Sequence, residues 1–375
     1  MTQRKKHSGG ARQRASSIRD ELFGDVRARD FPGTVTRDLK ALYAFYLDDE
    51  ERTRLARMGR IGRFFRMSLW ILRNLLLRLS PVRRILLVVA LAFFVLGRTA
   101  IGIGEGGFGA NLRPWGFVIL FFVLMFELRD KLLARDEIEV ARQVQLALLP
   151  RGHPTIPGWS IWGHTRPAND VGGDLLDYIA LDAGNVAVTL GDVAGKGLGA
   201  ALLMAKLQAT LRALAPGCPS LSELGARVNT ILYRDGLDNR FATLVCMRVD
   251  PGDDQIRFLN AGHNPPLLAR AGSIESLPAS GRPLGMLPDE EYTEGTCRFA
   301  AGDLLMVFSD GLVEARDASD QEFGTARVRD LLPRLRDLTV ERAGEQLLQE
   351  IERFMGGRRP HDDLSMILMK RRAAD

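Results

Sequence analysis

Cysteine is scarce in this chain of 375 residues, and the three cysteines present form no recognisable pattern. Cys218, Cys246 and Cys297 have neither the paired spacing of a disulfide framework nor the close spacing of a zinc site. Cys246 lies in an apolar run, where a cysteine acts as a small core residue. The sequence therefore predicts a protein that works in a reducing compartment.

Long uncharged apolar segments are also lacking. Residues 85–97 and 115–126 are uncharged, but each is shorter than the roughly 20 residues that cross a bilayer as a helix. Neither is a cleavable signal peptide, because both lie far from residue 1. Positive residues precede the first run and follow the second, which by the positive-inside rule predicts an inner-membrane hairpin with both termini cytoplasmic. The expected spans are about 85–104 and 113–128; a hairpin only partly inserted, or buried against protein, is the alternative.

The positive charge of the chain is confined to its first part. Residues 1–84 contain 20 Lys/Arg and 9 Asp/Glu, although the whole chain has a net charge of only +5. No nucleic-acid motif is visible, so the expected partner of this charge is anionic membrane lipid. We predict a disordered tail over 1–18 and a basic helical cytoplasmic region over 19–84. Within it, residues 54–79 are typical of an interfacial helix or of a solvated helix that packs on its own domain.

Residues 121–149 contain neither proline nor glycine and predict a continuous helix that ends at Pro150. Leu133, Val140, Val144 and Leu148 fall on one side of it. This connecting helix, over 129–150, is expected either to pair with a second copy in a homodimer or to pack only on its own domain.

Residues 151–371 alternate short β-rich runs with helical stretches and predict a layered α+β domain. The expected strands are Trp159–Gly163, Val186–Leu190, Ala242–Val249, Ile256–Asn260, Leu304–Phe308 and Leu364–Met369. The expected helices are Gly197–Leu214, Leu221–Tyr233, Ala326–Leu332, which Pro333 should stop, and Glu341–Phe354.

Four acidic motifs are spread over this domain, each where a strand meets a turn. They are Gly172-Gly173-Asp174, Gly191-Asp192-Val193-Ala194-Gly195-Lys196-Gly197, Phe308-Ser309-Asp310-Gly311 and Asp362-Asp363-Leu364-Ser365. Carboxylates gathered from distant segments usually surround cations, because unpaired buried charges are costly. Hard oxygen ligands of this kind suit Mg²⁺ or Mn²⁺. The motifs therefore indicate metal-assisted chemistry on a phosphate.

The ordered series resembles the metal-dependent protein phosphatases of the protein phosphatase 2C (PPM) superfamily, in the branch of stage II sporulation protein E (SpoIIE) and RsbU. Further matching segments are Gln145–Pro150, Val171–Asp177, Ala200–Ala205, Asn260–Pro266 and Pro283–Gly285. The resemblance covers about residues 137–371. It implies an α-β-β-α sandwich for the phosphatase domain, which the α-helical N-terminal region with its two transmembrane helices precedes.

The resemblance also implies a site with two Mg²⁺ or Mn²⁺ ions. Asp192 would bridge both metals, with the Val193 carbonyl as a further ligand. Asp310 and Asp362 would hold one metal, and Asp174 would contact the site directly or through water. Asp192 and Asp310 are the expected catalytic residues. Asp177 and Asp363 have weaker claims, and His263, between glycine and Asn-Pro-Pro, is interpreted as part of a turn.

The resemblance implies a serine/threonine phosphatase that uses water activated by two metals, and the apolar runs predict that this phosphatase is membrane-anchored. Its expected substrate is a phosphorylated regulator of the anti-sigma-factor antagonist type in partner-switching signalling. Two alternatives stay open: a non-catalytic membrane-localised signalling scaffold with the same fold, and a hydrolase of small phosphomonoesters.

Overall fold

The computed structural model describes residues 79–101, 108–236 and 240–372, together with residues 66, 73, 76 and 77. The chain divides into two compact units, Met1–Arg129 and Asp130–Asp375. The predicted tail over 1–18 and nearly all of the predicted basic region over 19–84 lie outside the described residues.

The first unit contains a pair of apolar helices joined by a short β-hairpin. Helix α1 spans Pro81–Leu96, strands β1 and β2 span Arg98–Ile101 and Phe108–Asn111, and helix α2 begins at Arg113. The expected continuation of the first helix to Gly104 is wrong. The helix ends at Leu96 because Gly97 has a φ of +56°, outside the helical range, and an antiparallel strand follows it.

The two helices approach closely where the side chains are small. A Cβ atom added at Gly116 would lie 3.0 Å from the carbonyl oxygen of Ala90. Next to this contact the rings of Phe94 and Phe117 pack edge to face, with centroids 4.6 Å apart. Most other large apolar side chains of the hairpin are exposed, Leu124 at 63% and Val95 at 86% among them.

Helix α2 is continuous over 36 residues, Arg113–Leu148. It joins the second apolar run to the predicted connecting helix and ends two residues before Pro150, so the prediction of one unbroken helix is confirmed. The division between the two compact units falls inside it.

One helix of the described residues is long and apolar enough to meet the usual criteria for a membrane span. It is Leu198–Gly217, of which 44% is buried inside the protein, as expected of a core helix. The two predicted spans are therefore not confirmed. Helix α1 has only 16 residues, and helix α2 carries Arg113, Glu127, Arg129 and Asp130 within its first 18.

The second unit is built on two antiparallel sheets of five strands each. The first sheet has the order β10-β7-β6-β5-β4, and the second has the order β3-β12-β11-β8-β9. The strands are β3 Trp159–Arg166, β4 Leu175–Ala180, β5 Val186–Val193, β6 Ala242–Val249, β7 Gln255–Ala261, β8 Leu267–Arg270, β9 Ser273–Ser276, β10 Gly295–Arg298, β11 Leu304–Phe308 and β12 Leu364–Arg371.

The sheets and helices form four layers with three apolar cores. Helices α3 (Leu198–Leu214) and α4 (Leu221–Asp235) cover the outer face of the first sheet. Helices α6 (Gly324–Leu335) and α7 (Val340–Met355) cover the second, and the short helix α5 (Asp310–Val313) follows β11. Between the sheets lies a core that includes Leu190, Val245, Leu305 and Ile367. The predicted α-β-β-α sandwich is confirmed.

Sequence patterns missed some elements of this unit. Strands β4, β8, β9 and β10 were not predicted, and Pro333 does not stop helix α6, which continues to Leu335. Pro333 lies in the last turn, where its missing N–H costs one hydrogen bond, and the final turn buries Leu335 in the core.

We predict that Gly344→Ala destabilises the protein. Gly344 of α7 faces the ring of Trp162 on β3, and an added Cβ would overlap that ring. The expected loss is about 1–3 kcal/mol from overpacking, larger than the gain of up to about 1 kcal/mol in helix propensity. Urea denaturation of the full chain measures it. The matched control is Gly217→Ala, where an added Cβ meets no atom within 4 Å; equal effects of the two changes would contradict the prediction.

Candidate metal centre

Asp192 lies near the end of β5, opposite Thr243 of β6. The chain then turns into helix α3 through Gly195 and Gly197, whose φ angles of +110° and +75° favour glycine. Asp192 is half-buried. The first sheet therefore presents this carboxylate at its edge, directly before the glycine turn.

Asp174 immediately precedes β4, the neighbour of β5 in the first sheet. A Cβ added at Gly173 would lie 3.1 Å from the Val193 carbonyl oxygen and 3.6 Å from Oδ1 of Asp192. The absence of a side chain at Gly173 thus allows the Asp174 loop to lie against the segment that carries Asp192. The structure brings these two predicted site segments together.

The second sheet contributes Asp310 and the pair Asp362-Asp363. Asp310 begins α5 directly after β11, and the acidic pair directly precedes β12, the strand paired with β11. Ser309 joins the two segments, because its Oγ donates to the Asp363 carbonyl oxygen (3.1 Å) and accepts from the Ser365 N–H (3.0 Å). The predicted carboxylates from both sheets therefore lie around one region.

The charges of these carboxylates affect one another. Burial, followed by the charges of Asp310, Asp362 and Asp363, raises the pKa of Asp192 to about 7. Burial and the charge of Asp192 raise the pKa of Asp174 well above its ordinary value. Burial, Glu314 and Asp362 raise the pKa of Asp310. Negative charge is concentrated here, and a cation would relieve it.

The adjacent residues Asp362 and Asp363 have different surroundings. Asp362 is partly exposed, and its Oδ2 lies 2.8 Å from Nζ of Lys196, which also donates to the His361 carbonyl oxygen. Asp363 is buried and accepts from the backbone N–H groups of Ala168 (2.7 Å) and Gly173 (2.5 Å). Asp363 thus holds the Asp174 loop, and its weaker claim as a metal ligand stays a prediction.

Asp177 is bound to an arginine. Its buried carboxylate accepts from Nε (2.7 Å) and Nη2 (2.8 Å) of Arg212 on α3. Oδ1 also accepts from the N–H of Tyr178. This bidentate pair ties β4 to α3, so Asp177 organises the domain around the site.

His263 is buried and lies next to Thr243. Its Nδ1 lies 2.7 Å from Oγ1 of Thr243, the residue opposite Asp192, and its N–H donates to Oδ1 of Asn260. Burial lowers the pKa of His263 to about 4, so its ring is neutral at neutral pH. The hydrogen bond to Asn260, three residues before it, fits the interpretation of His263 as part of a turn.

Sequence reasoning did not assign a role to Gln145, Thr243 or Lys196. Gln145, on the last turns of α2, donates from Nε2 to the Gly172 carbonyl oxygen (2.7 Å) and accepts at Oε1 from the Gly172 N–H (3.0 Å). The segment Gln145–Pro150 was part of the family resemblance, and this was the only signal that pointed to Gln145.

The donor set suits a hard cation, although the side chains do not converge into a closed cage. Among the residues that the structure describes, no group of three or more His, Cys, Asp or Glu side chains is arranged to hold an ion. Within the same residues, however, both carboxylate oxygens of buried Asp174 have no hydrogen-bond partner. Buried, unpartnered carboxylate oxygens beside other carboxylates fit Mg²⁺ or Mn²⁺.

A cavity of about 210 Å³ opens beside Asp174. Its walls combine apolar and charged side chains from the end of α2, the end of β3 and the following loop. They include Arg142, Gln145, Leu146, Arg166 and Asp363. Asp174 is itself one of the residues that line this cavity.

Comparison with known proteins shows what this chain is similar to. Residues 182–372, just over half of the chain, match the family model described as Stage II sporulation protein E (SpoIIE). Protein IcfG of Synechocystis sp. is 26% identical over 265 residues, which cover 63% of this chain and 42% of IcfG. Phosphoserine phosphatase RsbU of Bacillus subtilis is 25% identical over 246 residues, 64% of this chain and 71% of RsbU.

The fold has a counterpart among solved structures. The SiaA-PP2C domain of Pseudomonas aeruginosa superimposes with a TM-score of 0.54 at 21% identity, covering 65% of this chain and 99% of that one. The match with IcfG spans less than half of that protein. Asp174 lies outside the residues matched by the family model, so its place in the site rests on the geometry above.

We predict that Asp363→Asn destabilises the protein more than Asp362→Asn. An asparagine at 363 places an NH₂ group opposite a backbone N–H or leaves one unpaired, which costs roughly 1–3 kcal/mol for a buried group. Asp362→Asn removes a partly exposed ion pair worth at most about 1 kcal/mol. Urea denaturation of the full-length variants gives both values, and a larger loss for Asp362→Asn would show that the roles are reversed.

Proposed function

The chain belongs to the Stage II sporulation protein E family, and on that premise we propose that it is a metal-dependent protein serine/threonine phosphatase. The observation that carries the proposal is Asp174, a buried carboxylate whose oxygens have no hydrogen-bond partner in the described part of the chain, at the meeting point of carboxylates from both sheets. Relatives named phosphoserine phosphatase support the same activity.

The residues that would hold Mg²⁺ or Mn²⁺ are those expected from the sequence. They are Asp174, Asp192, the Val193 carbonyl, Asp310 and Asp362. When bound, two such ions supply positive charge that polarises a phosphate ester and lowers the pKa of water.

The chain's own residues prepare this chemistry. Asp363 and Gln145 hold the loop that carries Asp174, and Lys196 holds Asp362. Arg142 and Arg166 line the cavity beside Asp174, but each is paired with a glutamate, Glu139 and Glu352 respectively. The contacts of Asp363, Gln145 and Lys196 thus orient the carboxylates.

The proposed substrate is a phosphoserine or phosphothreonine on a small regulatory protein of the anti-sigma-factor antagonist type, in partner-switching signalling. The resemblance to RsbU, a named phosphoserine phosphatase, supports this choice. A protein substrate also suits a site whose cavity opens at the surface beside the end of a helix.

Two other functions compete with this proposal: a non-catalytic scaffold and a hydrolase of small phosphomonoesters. The scaffold is disfavoured because all the expected metal carboxylates are present in the sequence, and a site that had no catalytic role could lose them without harm. Activity on a panel of phosphoproteins and small phosphomonoesters, with and without Mn²⁺, separates the three functions.

We further propose that the helical hairpin of α1 and α2 anchors the protein in the inner membrane, with both termini in the cytoplasm. The outward faces of these helices expose Leu91, Val95, Phe117, Phe121 and Leu124, which water does not favour. The basic residues of the first 84 positions would contact anionic lipid.

The connecting part of α2 is proposed to pair with a second copy of the chain. Leu133, Val140 and Val144 are each more than half exposed, which supports a contact between two such helices. Cross-linking that captured only active monomers in detergent would remove this proposal.

We predict that Asp192→Asn or Asp310→Asn lowers the turnover of a phosphoserine protein with Mn²⁺ by roughly 100-fold or more, because each change removes a negative charge that would hold the metal ions. The matched control is Asp235→Asn, which alters an exposed pair with Arg234 and should leave turnover unchanged. Undiminished turnover in either site variant would show that the site is wrongly assigned.

We predict that the double change Leu91→Arg/Leu124→Arg releases the full chain from membranes during a carbonate wash. Both side chains are exposed on the hairpin, and each arginine costs roughly 3 kcal/mol inside a bilayer. The control is Leu202→Arg, because Leu202 is 63% exposed on α3. The Leu202→Arg protein should stay with the membrane. Release by Leu202→Arg alone would assign the membrane contact to α3 instead.

A further inference from the structure

Gln145 makes two hydrogen bonds to a single residue of the Asp174 loop. It is 7% exposed, and its Nε2 and Oε1 bind the carbonyl oxygen and the N–H of Gly172 at 2.7 and 3.0 Å. Its amide group therefore engages the backbone as another peptide group would. The two residues are 27 positions apart in the chain, so this contact fixes the loop to the end of α2.

The loop itself has little means of holding its shape. A Cβ atom added at Gly172 would lie 2.5 Å from Oδ2 of Asp363, and Gly173 lies against the Val193 carbonyl. A side chain would be crowded at both positions, yet consecutive glycines restrict the backbone least of all residues. An external contact must therefore define the direction in which the next residue, Asp174, points.

Two side chains supply that contact from different elements. Asp363 accepts from the N–H groups of Ala168 and Gly173, and Gln145 binds Gly172. Asp174 follows directly, and within the described residues neither of its carboxylate oxygens has a hydrogen-bond partner. Their position therefore depends strongly on the loop backbone, beside the side chains of Ser309 and Ser365 that lie near this carboxylate.

Gln145 is itself fixed in place. The carbonyl oxygen of Leu148, in the last turn of α2, accepts from Nε2 of Gln208 on α3 at 2.9 Å. A terminal helix carbonyl has no partner within its own helix, so this bond secures the end of α2 against the domain. Nη2 of Arg212 also donates to this oxygen, at 3.5 Å, so the end of α2 keeps a partner when Gln208 is changed.

We propose that Gln145 is a positioning residue that sets the affinity of the site for its divalent cation by holding the Gly172-Gly173-Asp174 loop. The inference rests on the proposed function, because it assumes a cation at Asp174. Gln145 does not act as a ligand; it acts through the backbone of Gly172.

The test compares Gln145→Leu with Gln208→Leu in the full chain. Both changes remove a buried glutamine that bonds at the end of α2, but only Gln145 contacts the loop. Mn²⁺ alone is titrated calorimetrically in the absence of substrate. We expect the Kd of Gln145→Leu for Mn²⁺ to rise about 10-fold, from the loss of two buried hydrogen bonds, and that of Gln208→Leu to stay within twofold of the unaltered chain.

Hydrolysis gives a second reading of the same effect. The Mn²⁺ concentration for half-maximal phosphoserine turnover should rise about 10-fold in Gln145→Leu, whereas the rate at saturating Mn²⁺ should stay within about threefold. A residue that only stabilised the fold would lower the melting temperature without this shift. If Gln145→Leu does not fold, Gln145→Met, an unbranched side chain of similar length without hydrogen-bonding groups on its end, is measured in the same way.

An unchanged Mn²⁺ affinity in the Gln145 variant overturns the proposal, as does an equal loss in Gln208→Leu or a failure of the unaltered chain to bind Mn²⁺. If the unaltered chain binds Mn²⁺ but hydrolyses no phosphoprotein, the proposed function fails, and the comparison of the two Kd values still decides the role of Gln145.

Discussion

Negative charge from two sheets is gathered at one edge of the sandwich, and this is the constraint that the surrounding structure has to satisfy. Asp174 and Asp192 come from the first sheet, and Asp310 and Asp362 from the second. Their mutual repulsion and partial burial oppose folding, as the raised pKa of Asp192 shows. The surrounding contacts hold the acidic segments in spite of this cost: the ion pair of Lys196 with Asp362, the backbone bonds of Asp363, and the serine that joins the last two strands. The apolar cores on both sides of each sheet supply the stability on which this arrangement rests.

The sequence predicted the central strands well because burial on both faces leaves a plain apolar run. Ala242–Val249 and Leu304–Phe308 were predicted with the bounds that the structure has. The missed strands lack such a run. Strand β9 is largely exposed, β10 is short and mixed, and β4 contains Asp177, whose charge is tolerated only because Arg212 binds it. When the partner of a buried carboxylate lies on another element, the local sequence carries no pattern that predicts the pair. The end of helix α1 before Gly97 was missed for the same reason, because it depends on a β-hairpin that no pattern in residues 98–111 predicted.

The candidate site shows the same division. Acidic residues beside glycines at strand ends are visible as motifs, so the expected carboxylates were named from sequence, and the structure brings their segments together. The contacts that hold them were not visible. Gln145 binds the backbone of Gly172. Because every residue has the same backbone groups, the residue types in the sequence could not show which position Gln145 contacts. Thr243 was hidden for a related reason, because it faces Asp192 only through strand register. The separate roles of Asp362 and Asp363 likewise depend on which way two adjacent side chains turn.

The core between the sheets has a consequence for how this domain tolerates change. Because the acidic segments belong to different sheets, the spacing of the sheets sets the spacing of the carboxylates. The space between the sheets is filled by side chains such as Leu190, Val245, Leu305 and Ile367. These side chains therefore set the distance between the sheets. A substitution in this core that keeps the protein folded but changes the distance between the sheets would also change the distances between the carboxylates of the candidate metal centre. Sequence changes in the core between the sheets should therefore conserve total side-chain volume more strictly than changes in the cores beneath the outer helices.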